Sequence, residues 1–267
     1  MPLATIEEAI EAYARGEFLV VVDDEDRENE GDLIIAADAM TMEKMNFMIR
    51  YTSGVICAPM SDERADQLDL SLMVVENTES MKTAFTVSVD LIGGTTTGIS
   101  AADRSATVKA LADLDRIGTD FARPGHIFPL RARKGGVLKR AGHTEAAVDL
   151  CAMADRPPVG VLSEIVNEDG TMARVPELEK FAEEHNLLFI TIADLIRYRR
   201  RNEKLVEHFA EARIPTKHGE FAAHAYRSVL DEIEHVAYVL GDIENVEEPL
   251  VRVHSECLTG DLLGSIR

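Results

Sequence analysis

Apolar positions along the first two hundred residues alternate between two rhythms. Ile6, Ala9, Ile10 and Tyr13 recur at helical spacing before Gly16, which predicts a helix over 5–15. Phe18-Leu19-Val20-Val21-Val22 is a continuous β-branched apolar run, the mark of a buried strand, and Leu33-Ile34-Ile35-Ala36-Ala37 repeats it. Met45, Met48 and Ile49 predict a helix over 42–50, and Gly54-Val55-Ile56-Cys57-Ala58 a strand stopped by Pro59. Phe85, Val87, Val89 and Leu91 alternate, as in a half-buried strand over 84–91. Ala147, Leu150, Cys151 and Ala154 predict a helix over 144–154. A strand over 159–166, a turn at 167–170, a helix over 176–185, a strand over 187–192 and a helix from Asp194 follow. Ser100 with Asp103, and Thr191 with Asp194, have the three-residue spacing of a capping box, so helices are expected to start there.

This alternation predicts a mixed α/β (α+β) fold: a three-layer domain over 1–203 whose mixed sheet is covered by helices. The polar run Arg199-Arg200-Arg201-Asn202-Glu203-Lys204 ends the alternation and reads as an exposed helix end or linker. Beyond it, short alternating segments at 222–226, 236–240 and 250–253 predict strands of an incomplete, β-rich second domain over 204–267.

Composition narrows the class of protein. The 267 residues carry a formal net charge of −20, which argues against nucleic acid and anionic membrane as partners. No window approaches the roughly eighteen apolar residues of a membrane span, and no secretory leader pattern is present. Cys57, Cys151 and Cys257 are odd in number and form no C-x-x-C, a pattern that fits a reducing cytoplasm. Cys57 and Cys151 lie in apolar segments and read as small core residues.

Charge is concentrated where the first strand ends. Asp23-Asp24-Glu25-Asp26-Arg27-Glu28-Asn29-Glu30-Gly31-Asp32 holds seven carboxylates in ten residues. A strand fixes where these acids point, and like charges so placed repel unless a cation or protons compensate them. Hard divalent cations choose oxygen ligands, so Mg²⁺ or Mn²⁺ is the natural counter-charge. A solvated acidic turn is the bland alternative. A structural Ca²⁺ loop lacks the required EF-hand spacing. The stretch 121–140, with Arg123, Arg131, Arg133, Lys134, Lys139 and Arg140, is basic and broken by Gly and Pro. In so acidic a chain it is the obvious attractor for phosphate.

Four islands in order carry a family resemblance over about residues 1–200: the acidic string; Thr97-Gly98-Ile99-Ser100-Ala101-Ala102-Asp103-Arg104; Arg123-Pro124-Gly125-His126-Ile127-Phe128-Pro129-Leu130-Arg131; and Arg140-Ala141-Gly142-His143-Thr144-Glu145-Ala146. Together they resemble the 3,4-dihydroxy-2-butanone 4-phosphate synthases. The resemblance implies a cytoplasmic lyase of riboflavin biosynthesis that converts D-ribulose 5-phosphate to 3,4-dihydroxy-2-butanone 4-phosphate and formate by metal-stabilised enediolate chemistry. It implies Glu28 and His143 as ligands of Mg²⁺ or Mn²⁺, and His126 and Glu164 as the catalytic pair. It also implies substrate contacts at Arg27, Glu28, Asp32 and Glu164 and along Arg140-Ala141-Gly142-His143-Thr144, where Arg140 and Thr144 hold the phosphate. Cys57 matches a position near the site, although the reaction needs no nucleophile. The resemblance further implies a homodimer with shared active sites. A lone carboxylate within Val161-Leu162-Ser163-Glu164-Ile165-Val166 is costly to bury unpaired, which independently marks Glu164. The reading from another class is a non-catalytic phosphosugar- or metal-binding module, which would have no use for His126 or Glu164.

Residues 213–267 resemble the beginning of GTP cyclohydrolase II through Ile214-Pro215-Thr216, His218-Gly219-Glu220-Phe221 and Arg252-Val253-His254-Ser255-Glu256-Cys257-Leu258-Thr259-Gly260-Asp261. In that family the His-Ser-Glu stretch contacts GTP and the following Cys is the first of three zinc ligands. The other two are expected just beyond Gly264-Ser265-Ile266-Arg267. A catalytic zinc site needs three protein ligands. A fragment of a bifunctional protein, without cyclohydrolase activity of its own, is therefore expected.

Overall fold

The computed structural model describes residues 3–243, 245–255, 257, 260 and 261. It divides into two compact units, Met1–Lys204 and Leu205–Arg267. In the first, the elements run α1 (Ile6–Ala14), β1 (Leu19–Val22), β2 (Gly31–Ala36), α2 (Met42–Tyr51), β3 (Cys57–Met60), α3 (Asp62–Gln67), β4 (Val89–Leu91) and α4 (Ala101–Ala112). They continue with β5 (Phe121–Arg131), α5 (His143–Met153), β6 (Gly160–Glu164), α6 (Val175–His185), β7 (Leu188–Thr191) and α7 (Ile192–Asn202).

The seven strands form one mixed sheet in the order β4-β5-β3-β6-β2-β1-β7. β1 and β2 are an antiparallel hairpin with Val22 opposite Gly31, and the acidic string is its loop. β6 runs antiparallel to β2, which sets Asp32 opposite Glu164. β1 pairs parallel with β7, and β3 parallel with β5.

Successive side chains of the central strands feed opposite cores, because the strand period is two. Leu19, Val21, Ile34, Ala36 and Ile190 pack with Ile6 and Ala9 of α1, Leu150 of α5 and Leu195 of α7. Val20, Val22, Leu33, Ile35 and Phe189 pack with Met45 and Met48 of α2, Val108 of α4 and Leu178 of α6. Both faces are therefore covered, as the unbroken apolar runs require, and the architecture is the three-layer mixed α/β fold expected.

Three local expectations need correction. Pro59 does not stop a strand; it lies inside β3, opposite Leu130 of β5. The span 84–91 narrows to β4 plus single bridges from Phe85 and Thr86, with a register shift between Val89 and Asp90. The basic stretch from 121 is no broken loop, since β5 runs through Pro124, Gly125 and Pro129. Neighbouring strands on both sides hold it extended, and the backbone of Val89 lies so close to Gly125 that a β-carbon there would come within 2.0 Å of it. That contact depends on tertiary packing, and the local sequence does not contain it.

The second unit is a three-stranded antiparallel sheet in the order β10-β9-β8, built from β8 (Val206–Thr216), β9 (Gly219–Ser228) and β10 (Glu234–Val239). Its first strand was not legible, because 206–216 alternates poorly; pairing with β9 makes it a strand. Residues 250–253 form no strand, and Leu250, Val251 and Val253 are exposed. Among the described residues nothing pairs with them.

Candidate active site

The residues of the acidic loop do not behave as one charge cloud. Asp23, still against β1, is buried and organises the turn: its carboxylate accepts the backbone N–H of Glu28 (3.2 Å) and Glu30 (3.0 Å) and the guanidinium of Arg27 (2.6 Å). Arg27 Nη1 also reaches Glu28 Oε2 at 2.6 Å. Arg174, preceding α6, donates to the backbone carbonyls of Glu28 and Asn29 and lies 3.7 Å from Glu30. Asp24, Glu25 and Asp26 face solvent. Crowding in the string is thus relieved largely by arginines and water, so charge density alone does not argue for a cation.

Two residues outside that arrangement make the stronger case. Asp32 is 3 % exposed, and its Oδ1 is buried with no hydrogen-bond partner. Burial pushes its carboxyl up to about 7, opposed by His143 and reinforced by Glu164, Glu28 and Glu30. His143, the first residue of α5, is 6 % exposed. Its Nε2 lies 3.1 Å from Val21 O, a partner that can only accept, so Nε2 carries a proton and Nδ1 is the nitrogen that faces the acids. Nδ1 is 3.8 Å from Glu28 Oε2 and 4.0 Å from Asp32 Oδ1. Burial disfavours the imidazolium, but Asp32, Glu28 and Asp23 together outweigh it and raise His143 to about 9. Glu28 in turn is held below the usual range, first by the nearby His143 and then by Arg27.

Asp23, Glu28 and His143 offer ligand atoms within 4.8 Å of one another. Asp23 is already taken up by Arg27 and two backbone N–H groups, so the donors that fit a hard or borderline dication are Glu28, the orphaned Oδ1 of Asp32 and the imidazole locked through its other nitrogen.

Glu28, Asp32 and His143 line one cavity of about 210 Å³ with Arg27, Glu30, Cys57, Glu79, Thr83, Arg140, Thr144 and Glu164. Arg140 Nη1 is held at 2.7 Å by Glu145, whose carboxylate is buried, and Nη2 takes Thr83 Oγ1 at 3.0 Å. Gly142 caps α5 with no side chain, so first-turn N–H groups are open to an anion. A β-carbon at Gly142 would sit 2.5 Å from Arg140 and 3.1 Å from Arg27, so a larger residue there would displace both guanidinium groups. Buried Thr144 follows on the same turn, whereas Ala141 is exposed and its side chain adds nothing polar. On the sheet side, Glu164 accepts Ser53 Oγ at 2.6 Å. Cys57 also lines the cavity, but burial holds its thiol well above the ordinary range, which disqualifies it as a nucleophile.

His126 is the predicted residue that the single chain does not bring to this cavity. It projects from β5 against Asp90 of β4, with Nδ1 2.6 Å from Asp90 Oδ2 and its backbone N–H on Oδ1 at 2.9 Å. Gly98 of the Gly/Thr loop closes over this pair at φ +89; a β-carbon there would meet Asp90 at 2.0 Å and His126 at 2.7 Å. The basic stretch contributes less than expected. Arg123 is spent on Leu68 O, Arg131 on Asp66 and Leu70 O, and only Arg140 reaches the cavity.

Sequence reasoning missed Asp23, Asp90, Ser53 and Thr83. Asp23 was one acid among seven, and Asp90 looked like the polar side of an alternating strand. Ser53 and Thr83 carried no signal at all. In the second unit, His254 Nε2 lies 2.8 Å from Asp261, which also accepts the Cys257 N–H at 2.9 Å. Glu256, Leu258, Thr259 and 262–267, to which the second resemblance also appeals, lie outside the described residues.

Comparison with known proteins yields two family matches. Residues 7–198 match the family model for 3,4-dihydroxy-2-butanone 4-phosphate synthase, and residues 207–267 that for GTP cyclohydrolase II. A riboflavin biosynthesis protein of Salinispora arenicola is 59 % identical over 263 residues, covering 98 % of this chain and 63 % of that protein. A bifunctional, chloroplastic riboflavin biosynthesis protein of Arabidopsis thaliana is 58 % identical, covering 99 % of this chain and 49 % of that one. The chain thus spans about half to two thirds of the length of these relatives. Among solved structures, a two-domain 3,4-dihydroxy-2-butanone 4-phosphate synthase from A. baumannii is 45 % identical with a TM-score of 0.82, covering 91 % of this chain and 72 % of that one. A 3,4-dihydroxy-2-butanone 4-phosphate synthase in complex with two magnesium ions is 47 % identical with a TM-score of 0.73, covering 75 % of this chain and 98 % of that one. With its acid-and-imidazole cavity at the end of a seven-stranded mixed sheet, this chain belongs to the 3,4-dihydroxy-2-butanone 4-phosphate synthase family.

Proposed function

We propose that the chain is a lyase that converts D-ribulose 5-phosphate to 3,4-dihydroxy-2-butanone 4-phosphate and formate. The observation that carries this reading is one cavity lined by two chemically distinct sets of residues. Glu28, Asp32, His143 and Glu164 supply acids and an imidazole; Arg140, Thr144 and the open start of α5 suit a phosphate monoester.

Glu28 and His143 would hold Mg²⁺ or Mn²⁺, which when bound would neutralise the negative charge that develops on substrate oxygens after deprotonation beside the carbonyl. Asp32, short of partners and kept dry, would accept a substrate hydroxyl, and Arg27 would pin Glu28 while donating to a neighbouring oxygen. Gly142 and Ala141 would serve through their backbone, bringing the chain close to the phosphate. Glu164, oriented by its Ser53 bond, would serve in proton transfer. His126, paired with Asp90, suits the second proton-transfer role, supplied to the cavity of a partner subunit in a homodimer with shared active sites. The cytoplasm is the proposed compartment; among the described residues no helix is long and apolar enough to cross a membrane. Residues 207–267 contain one cysteine, Cys257, so they do not by themselves supply the three-cysteine zinc site of a GTP cyclohydrolase II.

Formate release from D-ribulose 5-phosphate, measured with and without EDTA and after Mg²⁺ or Mn²⁺ add-back, tests the reading. Turnover that EDTA abolishes and the metal restores is expected; binding without formate would leave only a phosphosugar-binding module.

A further inference from the structure

The hairpin of the second unit places three metal-binding side chains together for a reason visible in its register. β8 and β9 pair antiparallel, with His208 opposite Tyr226, Ala210 opposite Ala225 and Glu211 opposite His224. Between His208 and Ala210 the register shifts, and Phe209 is the extra residue. In a regular strand, residues 208 and 211 are three apart and point to opposite faces. One inserted residue restores them to the same face. His224 and Tyr226, two apart on the facing strand, share that face. The ring of His208 accordingly lies 5.5 Å from His224 and 5.2 Å from Tyr226, and His224 Nδ1 lies 3.7 Å from Glu211 Oε2. One ligand atom from each of His208, Glu211 and His224 falls within 4.8 Å of the others. Arg227, adjacent to Tyr226 and so directed to the other face, lies over the Phe209 ring at 4.9 Å. Neither the bulge residue nor that cation intrudes on the histidines.

We propose that His208, Glu211 and His224 form a cross-strand site for a transition-metal dication of the zinc type. Two imidazoles and one carboxylate select zinc, copper or nickel over magnesium or calcium. Three protein ligands leave a fourth tetrahedral position to water. Bonds of about 2.0–2.2 Å require the donor atoms to draw in to roughly 3.3 Å of one another. His208 and Glu211 are exposed and His224 only half-buried, so their rotamers are free to make that adjustment. With two ligands on β8 and one on β9, the ion clamps the two strands together. The site is independent of the lyase reading and uses none of its residues.

The test is zinc titration of the full chain, stripped of metal and held in excess Mg²⁺. One more equivalent of zinc is expected in the wild type than in His208→Gln or His224→Gln, with binding at that site at least ~10-fold weaker in Glu211→Gln. Cobalt at the site should give a tetrahedral spectrum without a thiolate charge-transfer band, which separates it from Cys257. Circular dichroism in chelator should superimpose for all four proteins, because the substitutions lie on an exposed hairpin face. Equal zinc stoichiometry and affinity in the wild type and both histidine variants would overturn the proposal. So would loss of the extra equivalent in Cys257→Ser, or its loss in His143→Gln.

Discussion

Asp32 shows most sharply how a single residue can set function against stability. Its carboxyl is dry, lacks a partner on Oδ1, and is raised to about 7 from an ordinary 3.8. A carboxyl raised on folding stabilises the folded state in its protonated form. That contribution is full below the unfolded value near 4 and is lost as pH climbs through about 7. In EDTA, Asp32→Asn should therefore gain stability relative to the wild type as pH rises from 4 to 8, by on the order of a few kcal/mol, read as melting temperature against pH. A difference that stayed flat across that range would remove burial of charge as the cause. Glu164 makes a kinetic prediction instead. Glu164→Gln keeps the shape and the Ser53 contact but cannot accept a proton, so formate release should fall by about 10²–10⁴ with sugar phosphate binding retained. A variant that turns over normally would strike Glu164 from the chemistry.

Among the elements, α5 carries most of the phosphate argument, and its start is built differently from the other helices near it. Thr41, Ser61, Ser100 and Thr191 each cap their helix by accepting a backbone N–H three residues on, the local rule their sequences announce. The box expected at Ser100 is only half made, because Asp103 turns instead to Thr96 and Gly98 and ties down the Gly/Thr loop. Ser100→Ala should therefore cost about 1 kcal/mol in denaturant unfolding, as for an ordinary cap. At α5 the cap is Gly142, chosen for space between Arg140 and Arg27. Gly142→Ala should raise KM for D-ribulose 5-phosphate by about tenfold, because its β-carbon pushes two guanidinium groups away from the anion. Unchanged KM with an intact fold would mean the phosphate sits elsewhere.

For the whole molecule, the question is which surfaces complete the site. His126 stands with Asp90 and Gly98, outside the residues lining the cavity of its own chain. If a second copy supplies it, Glu164→Gln and His126→Ala chains are each inactive alone, and subunit exchange between them restores about a quarter of wild-type formate release. No recovery on mixing would exclude a shared site. The contact grouping of the chain makes a second prediction at this scale. Met1–Lys204 has its own two-sided core, so a chain ended after Lys204 should keep the wild-type rate of formate release.

The sequence by itself determined the first unit's layers and the identity of its acids. Unbroken apolar runs can be buried only with cover on both faces, and the carboxylates could be named as soon as they were read. Glu28 and His143 were singled out by the family resemblance, yet only the fold put His143 Nδ1 3.8 Å from Glu28 Oε2. Three things came from tertiary structure alone. β5 is a strand despite its prolines because neighbours on both sides hold it extended. Asp23, not the string as a whole, organises the acidic turn, because its buried carboxylate gathers the N–H groups of Glu28 and Glu30 and the Arg27 guanidinium. The bulge at Phe209 turns two ordinary residues toward a histidine on the next strand. Each depends on distances between residues far apart in sequence, or on a pairing register, and local composition encodes neither.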